Sequence, residues 1–352
     1  GVLVSSVSVR SPAESRCRSR YLRFRFRLRR SQSRGGRQLS SSGSPLCWKI
    51  ALSVLVLVLV LVGVLLPLAD ALTAPLDLRK RVHRVFQIED GLPQNSVLDI
   101  VQTREGYLWF GTQEGLVKFD GLQFTVFDKS NTPAIKRNMI SNLLALDTGV
   151  LWIGTRNGGV VLMEDGKFSN IDTEDGLPSN KITSIAEARD GTIWIGTEKG
   201  LASYSDGRLT SYQSEAAESR EWIRCIQELE NGDLLLGSTD GLMRFSGGAF
   251  TYHQEARAPR EVVSDLLLDS SGRVWIATET GLVRYSEGQY QWYSMGEKPG
   301  ESSVSALYSD EDGNLYVGSS SGSLCLFDEG SLVDCISTQV LAGNRVYKIM
   351  KD

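Results

Sequence analysis

The chain has 352 residues, 41% of them hydrophobic and 23% charged, with a net charge of −4. That length admits two or three ordinary domains or one large all-β domain. Two isolated histidines, His83 and His253, and the lack of metal-type cysteine spacing leave no basis for a histidine-centred catalytic site or a metal site.

The charge is unevenly placed. Residues 1–49 hold eleven Arg, one Lys and one Glu, about +11, so the rest carries about −15. The first residue is Gly and the first Met is Met139. Segment 1–49 is therefore expected to be disordered, or to reflect a misplaced start. Its run Tyr21 to Arg30, "YLRFRFRLRR", interleaves basic and aromatic residues as some nucleic-acid arms do. The blander reading is upstream sequence or the positive flank of an export signal, and no nucleic-acid partner is expected.

Residues 50–71 follow as a signal peptide or transmembrane helix. Ile50 to Leu66 is uncharged and apolar, Pro67 breaks it, and Ala69-Asp70-Ala71 places small residues where a signal peptidase cuts. Length alone does not separate a cleaved signal from an anchor. In both cases the positive flank stays in the cytoplasm and the rest is exported. Three cysteines lie in the exported part, Cys225, Cys325 and Cys335, which is no disulfide scaffold.

From residue 82 onward one pattern repeats. An aromatic-apolar-Gly element recurs at Trp109 to Gly111, Trp152 to Gly154, Trp194 to Gly196, Leu235 to Gly237, Trp275 to Ala277 and Tyr316 to Gly318, at intervals of 43, 42, 41, 40 and 41 residues. Each copy divides into four short strands. In the third these are "ITSIAEA", "TIWIGT", "LASYS" and "LTSYQ", separated by Asp-Gly-type turns that tolerate positive φ. The strands favour Val, Ile, Thr, Trp and Tyr, and no helical period is sustained. Four antiparallel strands per ~40 residues, repeated, predict an all-β fold, a β-propeller. In strand two both faces are largely apolar because each blade lies between two others. Trp194 is expected to make an inter-blade contact, and Gly196 to permit close backbone approach.

A near-copy of residues 89–116 stands at 174–201, and "EDGLP" occurs in both. Residues 82–88 read as an outer strand without inner partners, and 346–352 as an inner strand without outer ones. The expectation is a seven-bladed ring over 82–352 with six blades complete. The seventh would be cut short, its two middle strands falling beyond residue 352 in a truncated chain. Closing the ring removes exposed sheet edges.

At "GLPSNKITSIAEARDGTIWIGTEKGL" the chain resembles the two-component regulator propeller family. The fourth copy departs by lacking Trp, the fifth carries Ala277 for Gly, and the sixth carries Tyr316. The resemblance implies the periplasmic ligand-sensing domain of a bacterial inner-membrane receptor. Its output would be a histidine kinase within a phosphorelay, or alternatively a diguanylate cyclase, lying outside this sequence. Neither a phosphoacceptor His in a helical context nor a nucleotide-binding Gly-rich loop is present, so no catalytic residue and no cofactor is assigned. Some relatives sense oligosaccharides. The partners implied are thus a small-molecule ligand of that kind, the membrane through the N-terminal or a missing C-terminal helix, and, for the full-length receptor, a compatible homodimer.

In propellers the loops between strands two and three share a face with the blade-to-blade connections, and loops on a rigid scaffold carry function. The strand two-to-three loops offer Gln113, Glu114, Arg156, Asn157, Glu198, Lys199, Asp240 and Glu279. The connections offer Asn95, Arg137, Asn138, Asn180, Lys181, Trp222 and Arg224. Mixed charge, amides and one aromatic suit a polar, sugar-like ligand. The competing reading is a solvated rim in which Asn95, Asn138 and Asn180 hold turns. Cys325 and Cys335 flank the turn at Gly330 and can pair across strands.

Two rivals remain at this level. One is a secreted propeller enzyme, a lyase or glycosidase: "RDGTIW" is similar to the Asp-box turn of sialidases, except that Asp190 and Gly191 are adjacent. The other is a pure interaction scaffold.

Overall fold

The computed structural model describes residues 2–4, 84–213, 222–253, 257–295, 303–328, 330–336 and 345–350. The expected export segment 50–71 and most of 1–49 lie outside them. Within that basic segment, Val2–Val4 is a strand, paired antiparallel with Arg84–Phe86. Among the described residues no helix is long and apolar enough to cross a membrane.

The repeat is a β-propeller of six four-stranded antiparallel blades, each built from four consecutive strands. The third runs from the inner strand Ile182–Glu187 through Ile193–Thr197 and Gly200–Ser205 to the outer strand Arg208–Tyr212. The other inner strands are Val97–Gln102, Ile140–Ala145, Ile223–Glu228, Val263–Leu268 and Val304–Ser309. In blades two to five the hairpins joining strands three and four have positive φ at both central residues, as at Asp165-Gly166 and Asp206-Gly207. That conformation matches the right-handed strand twist and selects the Asp-Gly pairs read in the sequence.

The aromatic of strand two lies between its own outer strand and the next blade. Trp194 stands 5.8 Å from Tyr212 and 5.4 Å from Phe245 of blade four, while Trp152 meets Tyr204 of blade three at 5.1 Å. Where blade four has Leu235 instead, that side chain is fully buried with Val274 and Ile276 of blade five. The six blades are thus held by apolar seams, each large buried side chain contributing on the order of 1.5–3 kcal/mol.

The glycine after the aromatic lets the next inner strand approach. A Cβ on Gly196 would lie 3.0 Å from the Ile223 carbonyl oxygen and 2.2 Å from Ser184 Oγ. On Gly318 it would lie 2.6 Å from Val346 Cγ1. Val346 therefore occupies, beside blade six, the place that Ile223 holds beside blade three.

The written repeat "EDGLP" is a repeated connector. Gln87 N–H donates to Asp90 Oδ2 at 2.8 Å, and Asp172 N–H to Asp175 Oδ2 at 2.9 Å. Gly91 and Gly176 take φ of 111° and 109°, and Leu92 and Leu177 plug the interior at 2% and 4% exposure. Phe86 precedes the first connector and packs with Phe110 and Phe119 of blade one, and Met350 joins the same cluster. The two ends of the repeat region therefore meet. The expected inner strand at 346–352 carries no strand assignment over its described part, 345–350. Among the described residues it has no second strand to complete a ladder.

Cys325 and Cys335 of blade six form a disulfide with their Cα atoms 4.1 Å apart. A register shift in this strand pair sets Leu326 opposite Val333 and Leu324 opposite Ile336, which brings Cys335 level with Cys325.

Candidate functional site

Five of the six strand two-to-three turns use one staple. Thr112, Thr155, Thr197, Ser238 and Thr278, each fully buried, donate their hydroxyls to the carbonyls of Gly115, Gly159, Gly200, Gly241 and Gly281 at 2.8–2.9 Å. The residues between are held outward at one face of the propeller. The blade-to-blade connections arrive at that same face. Glu198 N–H bonds the Lys181 carbonyl, Arg156 N–H bonds the Met139 carbonyl, and Arg156 and Lys181 form an isolated bridge.

The fifteen rim candidates separate into five sets. Asn95, Asn138 and Asn180 accept a backbone N–H from Ile88, Lys129 and Thr173, at 2.9, 3.1 and 2.9 Å. They latch the end of one blade to the start of the next, seven or nine residues on, rather than bonding their own turn. Asn157, with φ of 78°, is a turn residue. Gln113, Glu114, Arg137, Lys199 and Asp240 are exposed on the loops.

The remaining candidates come together in two groups. In the first, Lys181 Nζ lies 3.1 Å from Glu198 Oε2 and 3.3 Å from the centre of the Trp222 ring, while Ser179 Oγ donates to Glu198 Oε1 at 3.2 Å. Trp222 is half-buried. In the second, Arg224 opens the inner strand of blade four and interacts electrostatically with Arg345, Glu279 and Arg156. Burial, more than these neighbours, pulls the Arg224 guanidinium below its ordinary range. Arg345 Nη2 reaches Ser264 Oγ at 3.4 Å, and its guanidinium lies 5.6 Å from the Tyr347 ring centre.

Arg224 and Ser264 line a central channel of about 700 Å³ walled by the inner strands. One level deeper, the third residue of each inner strand forms a belt: Asp99, Asn142, Ser184, Cys225, Asp265 and Ala306, with Lys348 at the matching place after Val346. Asp99 accepts N–H from Ile100 at 2.9 Å and from Leu143 of the next blade at 2.7 Å. Asp265 repeats this with Leu266 and Leu307, both at 2.9 Å. Burial pushes both carboxyls up, against the pull of the Lys348 ammonium and these amides. Burial also opposes charge on Lys348, but Asp99 and Asp265 outweigh it and the ammonium is held above its ordinary range. The Cys225 thiol is pushed up by burial and is inert as a nucleophile.

The belt and Arg345 were not singled out from the sequence. Aligning the inner strands on their first apolar residue would have shown the column of polar side chains. Among the described residues no group of His, Cys, Asp and Glu could hold a metal ion. His253 packs beside the outer strand of blade five, its Nδ1 2.8 Å from the Tyr290 hydroxyl.

Comparison with known proteins agrees with this architecture. Residues 91–114 and 176–199 match the family described as two component regulator propeller. Histidine kinase P4 of Formosa agariphila is 50% identical over 46 residues, which are 13% of this chain and 3% of that protein. The extracellular domain of a putative hybrid two component system from B. thetaiotaomicron is 21% identical over 71% of this chain and 41% of that one, with a TM-score of 0.38. The WD40 β-propeller domain of Doa1 is 14% identical, covers 72% of this chain and 85% of that one, and has a TM-score of 0.56, a likeness of fold. The chain thus matches a small part of the kinase and under half of the hybrid system's extracellular domain.

Proposed function

The chain carries two-component regulator propeller repeats, and on that premise we propose that it is the extracytoplasmic ligand-sensing domain of a membrane signal-transduction receptor. The carrying observation is the repeat match at 91–114 and 176–199, with the half-identical stretch in a histidine kinase beside it. The output is a sensor histidine kinase; a diguanylate cyclase is the alternative output. The propeller lies in the periplasm, delivered by segment 50–71, and its ligand is a polar small molecule of oligosaccharide type. A seventh blade takes residues 82–88 as its outer strand and residues 346–352 as its inner one. Val346 against Gly318 and Met350 beside Phe86 support that closure.

Ligand binding at the rim would bias two states of the receptor by its difference in affinity for them. The full-length gene product in membranes, offered an oligosaccharide panel, tests this. Ligand-dependent autophosphorylation is the expected result, and ligand-dependent cyclic dinucleotide synthesis would favour the alternative. A full-length product that does neither refutes the receptor reading. The enzyme rival finds little support, since His253, at the start of the connection from blade four to blade five, is bonded to Tyr290 of the neighbouring outer strand.

A further inference from the structure

Among the described residues, the channel mouth holds more positive charge than its neighbours answer. Lys181 is already matched by Glu198 at 3.1 Å. Among the described residues, the charged side chains acting on Arg224 are the guanidiniums of Arg345 and Arg156 and one carboxylate, Glu279. The Nε atoms of Arg224 and Arg345 are buried and have no hydrogen-bond partner among the described residues. A buried donor left unsatisfied costs about 1–3 kcal/mol, more when charged. The like charge of Arg345 adds repulsion on Arg224. Such an arrangement persists in a body carrying about −15 beyond residue 49. It is explained if a counter-anion completes it.

We propose that Arg224 and Arg345 form a site at the channel mouth for an oxyanion, a carboxylate or sulfate, carried on a saccharide. This deepens the sensor reading and rests on it. A guanidinium offers two parallel N–H donors that match the two oxygens of such a group, which an ammonium does not. Lys181 Nζ covers one face of the half-buried Trp222, two residues before Arg224, and a sugar ring would stack on the other. The next level down stops the anion from going deeper, because Asp99 and Asp265 stand there against the single Lys348. The mouth therefore holds one charged group of the ligand and keeps it out of the belt below.

The full chain is titrated calorimetrically with trigalacturonate, a sulfated chondroitin disaccharide and neutral galactotriose, at low and high salt. The anionic probes bind at least about ten-fold tighter than galactotriose, and the ratio shrinks with salt. Carboxylate and sulfate sources are told apart by which anionic probe binds tighter. The Arg224→Met/Arg345→Met double variant loses the anionic preference while melting no lower than wild type, since it removes unpaired buried charge. Arg224→Lys, which keeps the charge, also loses most of the preference. Should the double variant keep it, or the anionic probes bind no better than galactotriose to wild type, the assignment is wrong. Equal binding of all three probes would sink this site and leave the sensor reading intact. Tight anionic binding without signalling in the full-length product would do the reverse.

Discussion

Ser305 Oγ donates to the Val346 carbonyl at 2.7 Å, just as Ser141 Oγ donates to that of Ile182 at 3.0 Å. The same hydroxyl-to-carbonyl bond therefore joins blade two to blade three and blade six to the stretch after it. This contact recurs because Gly154, Gly196 and Gly318 let the following strand come close.

Gly196→Ala is expected to destabilise the propeller by about 1–3 kcal/mol, the usual range for overpacking. Its Cβ would meet Ser184 Oγ and the Ile223 carbonyl oxygen. Adding Ser184→Ala removes one of the two obstacles and should recover part of the loss. Urea midpoints of the single and double variants check this; an unchanged midpoint for Gly196→Ala contradicts the packing described.

Asn180→Ala removes the acceptor for Thr173 N–H. The bond is exposed, so the expected loss is at the low end of about 0.5–1.5 kcal/mol. Saccharide binding should be unchanged, because the side chain faces the connector. A variant with normal stability and lost binding would return Asn180 to the ligand.

The belt carboxylates give the protein a pH signature. The Asp265 carboxyl is raised in the folded state. Between its unfolded value of about 4 and the raised folded value the native state holds the extra proton, so stability falls as pH rises through that window and is flat above it. Asp265→Asn should remove its share of this slope and leave that of Asp99. It also sets an amide donor against the Leu266 or Leu307 N–H, at a cost of about 1–3 kcal/mol. Denaturation midpoints followed upward from about pH 4 decide it: an identical slope in the variant assigns the effect elsewhere.

Reduction of the Cys325–Cys335 bridge, which spans 10 residues, should lower stability by about 2–3 kcal/mol on the chain-entropy estimate. The free Cys225 is buried and should resist alkylation in the folded protein. Melting with and without reductant, with mass-spectrometric counting of labelled thiols, measures both. Rapid labelling of Cys225 under native conditions would show the channel wall opening.

The blades were legible because their cause is local and repeated. The Trp194 and Gly196 pattern sets the seam, and pairs such as Asp206-Gly207 set the hairpins. The rim face followed from topology, and the sequence already placed Lys181, Glu198, Trp222 and Arg224 on it. Their grouping was not legible, because Lys181 meets Trp222 across two blades and 41 positions of chain. The belt escaped notice for a related reason. Asp99 and Asp265 each look like an ordinary polar residue in a half-buried strand, and only closure of the inner strands around one channel brings them opposite Lys348.

The hydroxyl staple of the strand two-to-three turns divides labour within five residues. Thr197 and Gly200 fix the path of the backbone, which leaves the exposed side chain of Lys199 free of duty to the fold. Substitution at such positions can exchange one ligand preference for another without disturbing the scaffold. A lineage carrying this repeat can therefore diversify what it recognises at little risk to whether it folds.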